Sequence, residues 1–130
     1  FLFDREKNLL VIPVSLAEIN ASDYEKNYGG VPEWAYGEII WQGAYVFDIT
    51  ENKIEVRGKI THQEESDKDK YWYWNQDVKR SLFMDDVLYT ISDMKVKANN
   101  LNTLNEIKDL ALPFEQNYGG PIYYAGERAV

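Results

Sequence analysis

The sequence predicts an all-β protein built from two four-stranded antiparallel sheets. Apolar and polar residues alternate along Ile54–Thr61 and again along Met94–Asn99, which is the period of a strand with one buried face. Leu9–Ile12 is a continuous apolar run, as in a strand that is buried on both faces. Turn-forming residues separate these runs, and connections of about two to five residues favour antiparallel hairpins.

The first predicted sheet is interrupted by a long insertion. Its four strands are Phe1–Asp4, Leu9–Val14, Ala44–Ile49 and Lys53–Thr61. Polar turn residues join the first strand to the second and the third strand to the fourth. Between the second and third strands we expect an inserted loop region at residues 15–37.

The second predicted sheet takes about 35 residues, close to the size of one blade of a β-propeller. Its strands are Lys79–Met84, Val87–Ser92, Lys95–Ala98 and Glu106–Leu110. The last is ambiguous, because a spacing of three is also typical of one helix face; the residues so spaced are Leu101, Leu104, Ile107 and Leu110. We favour a strand because the rest of the chain has a rhythm of short strands. The predicted organisation is a blade at 1–61, an aromatic linker at 62–77, a blade at 78–113 and a C-terminal tail at 114–130.

Four stretches of the chain follow the order and spacing of a known family. They are Phe3–Val14, Gly43–Ile49, Val56–His62 and Lys79–Ser92. The chain resembles the secreted β-propeller domains, distantly related to WD repeats, of bacterial and archaeal surface proteins. The resemblance implies the C-terminal portion of a propeller, exported or anchored at the cell surface. It implies no activity, because the family brings no catalytic residues to transfer.

The composition of the chain limits the classes of partner that it can bind. The 22 acidic and 14 basic residues give a net charge of −8, which argues against nucleic-acid binding. No apolar run approaches the roughly 18 residues of a membrane-spanning helix. The chain has no cysteine and begins abruptly at Phe1, so we expect a piece of a larger protein without disulfides. Propellers close with about four to eight blades, so the expected partners are the remaining blades of a parent protein or copies of this chain.

Aromatic residues form the first candidate ligand site. Four of them are consecutive, namely Tyr71, Trp72, Tyr73 and Trp74, and Trp34, Tyr36 and Trp41 form a second group. Four consecutive residues of a strand cannot all face one core. The cluster is therefore either a stacking platform for the sugar rings of a polysaccharide or a surface that packs on the propeller or on a further blade.

A repeated segment forms the second candidate site. Asn27–Pro32 is echoed by Asn117–Pro121, and both copies contain a Tyr-Gly-Gly turn. The residues concerned are Tyr28, Gly29 and Gly30 in the first copy and Tyr118, Gly119 and Gly120 in the second. The echo indicates either two equivalent loops that form a contact site or a chance similarity of two glycine-rich loops.

The sequence gives little support for a metal site or for an enzyme active site. Asp67 with Asp69, and Asp85 with Asp86, offer oxygen ligands for calcium, but neither pair has the spacing of a calcium-binding loop. We therefore predict no metal site or cofactor and interpret both pairs as solvated turns. His62 is the only histidine, and no Gly-x-Ser-x-Gly motif accompanies it, so we expect no enzyme.

These observations predict a non-enzymatic, extracellular or cell-surface module that acts as a scaffold or protein-interaction platform. The alternatives are a carbohydrate-binding module, which would use the exposed aromatic residues, and a structural subunit of a surface lattice or filament. Asn20-Ala21-Ser22 is a glycosylation sequon, so Asn20 is a candidate site for a glycan in an exported protein.

Overall fold

The computed structural model describes residues 1–65 and 73–113, and of residues 73 and 74 the backbone alone. Within these ranges the chain forms two four-stranded antiparallel sheets, so the predicted all-β fold class is confirmed. In each sheet the strands lie in chain order, as in a meander.

The first sheet carries the insertion on its two longest strands. Its strands are β1 (Leu2–Asp4), β2 (Leu9–Glu18), β3 (Glu38–Ile49) and β4 (Ile54–Ile60). Both β2 and β3 extend beyond the predicted strands, and a bulge between Leu16 and Ala17 adjusts their pairing. The connection between them contains a helix, α1 (Ala21–Tyr28), where the sequence predicted a loop.

The second sheet confirms the strand that was ambiguous in the sequence. Its strands are β5 (Arg80–Met84), β6 (Val87–Ile91), β7 (Lys95–Asn100) and β8 (Glu106–Ala111), and a short 3₁₀-helix (Tyr73–Gln76) precedes them. Leu104 adopts a left-handed conformation with φ of 61° in the turn between β7 and β8. The spacing of three therefore spans a turn and a strand, with no helix.

The hydrophobic core lies between the two sheets. Alternate positions of β2 and β3 face it, together with the end of β4, and the second sheet and its flanking loops supply the other side. The buried apolar residues are Leu9, Val11, Ala44, Val46, Ile60, Val78, Leu88 and Leu101. Their burial stabilises the face-to-face packing of the sheets, at roughly 25 cal/mol for each Å² of apolar surface removed from water.

An irregularity in β4 turns part of this strand to the opposite face. Gly58 pairs with Val46, whereas Val56 pairs with Phe47, so the alternation shifts by one residue at Arg57. Ile60 is therefore buried in the core, and Val56 is exposed on the other side of the sheet. The sequence pattern placed both side chains on one buried face, and for Val56 that expectation is wrong.

Each sheet also has an outer face, which points away from the core and carries mostly apolar side chains, together with Lys59 on the first sheet and Arg80 and Lys108 on the second. The large apolar residues of the first outer face are Phe3, Leu10, Ile12, Tyr45, Phe47, Ile54 and Val56. The large apolar residues of the second outer face are Leu82, Met84, Val87, Tyr89, Ile91, Val96 and Leu110. Val56 is 52% exposed and Met84 is 56% exposed, so large apolar side chains reach solvent on both outer faces.

Candidate functional site

A buried polar network joins the two sheets. The side-chain amide of Gln42 on β3 donates to the carbonyl of Val78 at 3.1 Å and accepts from its N–H at 2.7 Å. Gln63 accepts from the N–H of Gln42 at 2.9 Å and donates to Asp77 at 2.9 Å. Burial raises the pKa of the Asp77 carboxyl. The network thereby connects the end of the first sheet to the segment that enters the second.

His62 also connects the two sheets. Its side chain is fully buried, with Nδ1 at 2.9 Å from the Ser92 hydroxyl and Nε2 at 2.8 Å from the Thr90 hydroxyl. Burial, assisted by the positive charges of Lys97 and Lys95, lowers the pKa of His62 to about 4. Both ring nitrogens thus bind groups of the second sheet, which gives this histidine a structural role.

The insertion between β2 and β3 is organised by helix α1. Asn20 caps its N-terminus, since its Oδ1 accepts from the N–H of Ser22 at 3.3 Å and from its hydroxyl at 2.7 Å. Gly29 ends the helix in a left-handed conformation with φ of 70°, and its N–H donates to the carbonyl of Glu25 at 3.0 Å. The first Tyr-Gly-Gly segment is therefore a helix C-terminus. The capping signals were present in the sequence, but no apolar period accompanied them, because α1 buries no residue.

Three aromatic rings pack together on the insertion, and we call them the insertion cluster: Tyr24, Tyr28 and Trp34. The ring centroid of Trp34 lies 5.4 Å from that of Tyr28 and 6.1 Å from that of Tyr24, both in edge-to-face arrangements. Tyr24 and Tyr28 are 6.3 Å apart, one helical turn from each other. Trp41 lies elsewhere, against Tyr45 on β3. The cluster fixes the position of α1 relative to the chain that follows it.

A cleft opens between α1 and the ends of β2 and β3, and we call it the insertion cleft. Its volume is about 440 Å³. The lining residues are Glu18, Ile19, Asn20, Ala21, Asp23, Tyr24, Tyr36, Glu38 and Ile40. The hydroxyl of Tyr24 donates to the carbonyl of Tyr36 at 3.4 Å, which connects the helix to the opposite wall. The Tyr36 side chain itself is 87% exposed.

The charge of the insertion cleft is negative. Glu18 and Glu38 are direct cross-strand partners at the ends of β2 and β3, and Asp23 comes from the first turn of α1. The lining includes no lysine or arginine. Among the described residues none of the three carboxylates forms a salt bridge. The cleft therefore combines uncompensated negative charge with aromatic and aliphatic walls.

Comparison with known proteins places this architecture in a family. A family model described as "Beta propeller domain" matches residues 1–104. The chain belongs to the β-propeller domain family. No curated protein and no solved structure matches it. Two four-stranded sheets packed face to face are consistent with two blades of the propeller domain.

The predicted aromatic site falls largely outside the described residues. Tyr71 and Trp72 lie outside them, and Tyr73 and Trp74 begin the 3₁₀-helix with only their backbone described. Of the second aromatic group, Trp34 and Tyr36 are exposed on the insertion, whereas Trp41 is part of β3 and its ring contacts that of Tyr45.

Of the other residues predicted as sites, some lie outside the described part of the chain and some inside it. The following residues lie outside the described part of the chain: Asp67, Asp69, Tyr118, Gly119 and Gly120. Asp85 and Asp86 form the turn between β5 and β6, with Asp85 at φ of 50°. The described residues contain no group of three or more acidic, histidine or cysteine side chains that would hold a metal ion. They also contain no helix with the length and apolar character needed to cross a membrane.

We predict that protonation of His62 in acid destabilises the packing of the two sheets. The pKa of His62 is lowered from 6.5 to about 4, so its contribution is fully present above about pH 6.5 and is lost as the pH falls toward 4. The free energy of unfolding should decrease by about 3 kcal/mol over this range, as follows from about 1.4 kcal/mol per pKa unit. Urea unfolding followed by tryptophan fluorescence between pH 4 and pH 7 measures it.

The matched control is His62→Gln, which removes the titrating group and leaves every carboxyl in place. Its stability should depend less on pH over this range than that of the unsubstituted chain. Parallel curves for the two proteins between pH 7 and pH 4 would show that His62 is not the titrating group.

Proposed function

We propose that the propeller domain is a non-enzymatic scaffold of an extracellular or cell-surface protein, and that it binds other protein through its two outer faces. The observation that carries this proposal is that apolar side chains also line the outer face of each sheet, where several large ones are exposed to solvent among the described residues. A β-propeller is the kind of fold that serves as a protein-interaction scaffold.

The apolar character of the outer faces favours a partner that is itself an apolar sheet face. The core already buries apolar side chains from both sheets and their flanking loops, and the outer faces present further large apolar side chains. Apolar surface left in water has a free-energy cost that a second apolar sheet face removes. The partners we propose are the remaining blades of a parent protein or further copies of this chain.

The environment of His62, the single histidine, supports a non-catalytic role for the domain. His62, the side chain most suited to proton transfer near neutral pH, is enclosed between two hydroxyls of the second sheet. A buried imidazole with both nitrogens bonded does not present a base to a substrate.

We predict that the isolated 15.2 kDa chain self-associates in a concentration-dependent way, because large apolar side chains of both outer faces are exposed among the described residues. Val56→Asp on the first outer face and Met84→Asp on the second should each shift the species toward the monomer. Light scattering coupled to size-exclusion chromatography provides the measurement.

Val31→Asp is the matched control, since Val31 is 45% exposed on the insertion and lies on neither outer face. It should associate as the unsubstituted chain does. A monodisperse monomer of 15.2 kDa at every concentration would refute docking through the outer faces.

The proposed location has its own test. The resemblance to the propeller domains of surface proteins supports an exported protein. An antibody against the domain should label intact cells of the source organism, and protease added outside the cells should remove the signal. Labelling only after lysis would contradict a location at the cell surface.

Carbohydrate binding is the second candidate function, favoured by the exposure of aromatic side chains on the insertion. Trp34 is 58% exposed, and its ring offers a flat face of the kind on which sugar rings stack. Affinity electrophoresis in gels that contain polysaccharide should retard the domain, and Trp34→Ala should abolish the retardation. Ile54→Ala, an exposed apolar change outside the insertion, is the control and should behave as the unsubstituted chain. Unretarded migration with every polysaccharide would exclude this function.

A further inference from the structure

We propose that Asn20 is the attachment site of an N-linked glycan, and that the donor is an oligosaccharide carried on a lipid diphosphate. The sequon Asn20-Ala21-Ser22 carries the proposal, together with the way in which the structure presents it. The proposal rests on the proposed extracellular location, because such a transfer modifies exported proteins. It does not depend on docking through the outer faces.

The sequon has the composition that glycan transfer requires. Asn20 supplies the acceptor amide, Ser22 supplies the hydroxyl that a transferase recognises two positions later, and Ala21 between them is not proline. One class of transferase also requires an acidic residue two positions before the asparagine, and Glu18 stands there. The chain contains no second Asn-x-Ser/Thr triplet, so an N-linked glycan on it is assigned to one position.

The structure places the sequon where a transferase can reach it. Asn20 lies between the end of β2 at Glu18 and the start of α1, and both Asn20 and Ser22 are exposed. The backbone of Asn20 is extended, with φ of −80° and ψ of 100°. Helix α1 buries no residue, so its first turn can open around the sequon without exposing any core side chain.

The oxygen and the nitrogen of the Asn20 amide have different roles. Oδ1 accepts hydrogen bonds from the N–H and the hydroxyl of Ser22, at 3.3 Å and 2.7 Å, whereas Nδ2 donates to no group among the described residues. A glycosylated asparagine keeps its carbonyl oxygen and one N–H. The helix cap and the glycan therefore use different atoms, and α1 can form in the modified chain.

The proposed transfer forms one bond and breaks one. Nδ2 of Asn20 attacks the anomeric carbon of the first sugar, and the bond from that carbon to the diphosphate oxygen breaks. The lipid diphosphate leaves with the electron pair, and a base of the transferase takes the proton that Nδ2 loses. The lipid-linked oligosaccharide and the transferase are therefore the co-reactants, and no oxidant or reductant is needed.

Attachment at this position leaves both outer faces open. The residues of the outer faces belong to the two sheets, whereas Asn20 belongs to the connection between β2 and β3. A glycan is bulky and strongly hydrated. It would therefore keep the insertion in solvent and leave the apolar faces available for docking.

The test is mass spectrometry of the protein isolated from the cells of its source organism. The proteolytic peptide that contains Asn20 should carry the additional mass of an oligosaccharide. Fragmentation that preserves the glycan should place this mass on Asn20 and not on the neighbouring hydroxyl of Ser22, which separates N-linkage from O-linkage.

Three variants separate modification from folding. Asn20→Asp keeps a side-chain oxygen that caps α1 but removes the acceptor nitrogen, so the added mass should disappear while the circular dichroism spectrum stays unchanged. Ser22→Ala should lower the glycan occupancy about tenfold or more, since it removes the recognised hydroxyl. Ser22→Thr is the matched control, because it keeps a hydroxyl at this position and should be modified as fully as the unsubstituted protein.

Protease added to intact cells in parallel distinguishes failure of the site from failure of the location. A protein that is digested from outside and carries no mass on Asn20 would overturn the proposal and leave the location intact. Added mass that persists in Asn20→Asp, or occupancy unchanged by Ser22→Ala, would show that the sequon is not the acceptor. A protein that is unmodified and protected inside the cells would contradict both the glycan and the proposed location.

Discussion

The packing of two apolar sheets against each other is the constraint on which the rest of this structure depends. Leu9, Val11 and Val46 are removed from water only because Leu88 and its neighbours cover them, and isolated four-stranded sheets would leave these side chains exposed. The same sheets are apolar on their outer faces as well. A fold in which identical layers follow one another satisfies both faces of every layer, which is the physical reason why a propeller suits this pattern.

Hydrophobic contact between sheets has no preferred direction, so polar groups must fix their relative position. The paired bonds of Gln42 to the backbone of Val78 require one alignment, and His62 requires that its two nitrogens meet hydroxyls on neighbouring residues of one face of the second sheet. Arg57 adds a bond of 3.0 Å to the carbonyl of Leu101. Because these groups are buried or half-buried, any sliding of the sheets would leave them without partners.

The sequence predicts what depends on local pattern and misses what depends on register. Alternation and turn residues were sufficient for seven of the strands, and the rhythm of short strands in the rest of the chain decided the ambiguous one at Glu106–Leu110. No local pattern reveals the bulge at Arg57, although it decides that Ile60 is buried and Val56 exposed. The opposition of Glu18 and Glu38 depends on a second bulge, and the partners of His62 lie about 30 residues away. Helix α1 was missed because its stability comes from caps and ring contacts and not from an apolar stripe.

The sheets form the hydrophobic core, and the insertion lies outside it. The β2–β3 pair is rooted in the core by Leu9 and Val46, and its far end carries the two opposed glutamates. Their repulsion, at most about 1 kcal/mol, acts where no core side chain depends on it, so the fold tolerates the cost. Helix α1 buries no residue and can change without disturbing the sheets. A rigid scaffold that holds a charged and aromatic connecting segment is an arrangement in which binding sites commonly arise.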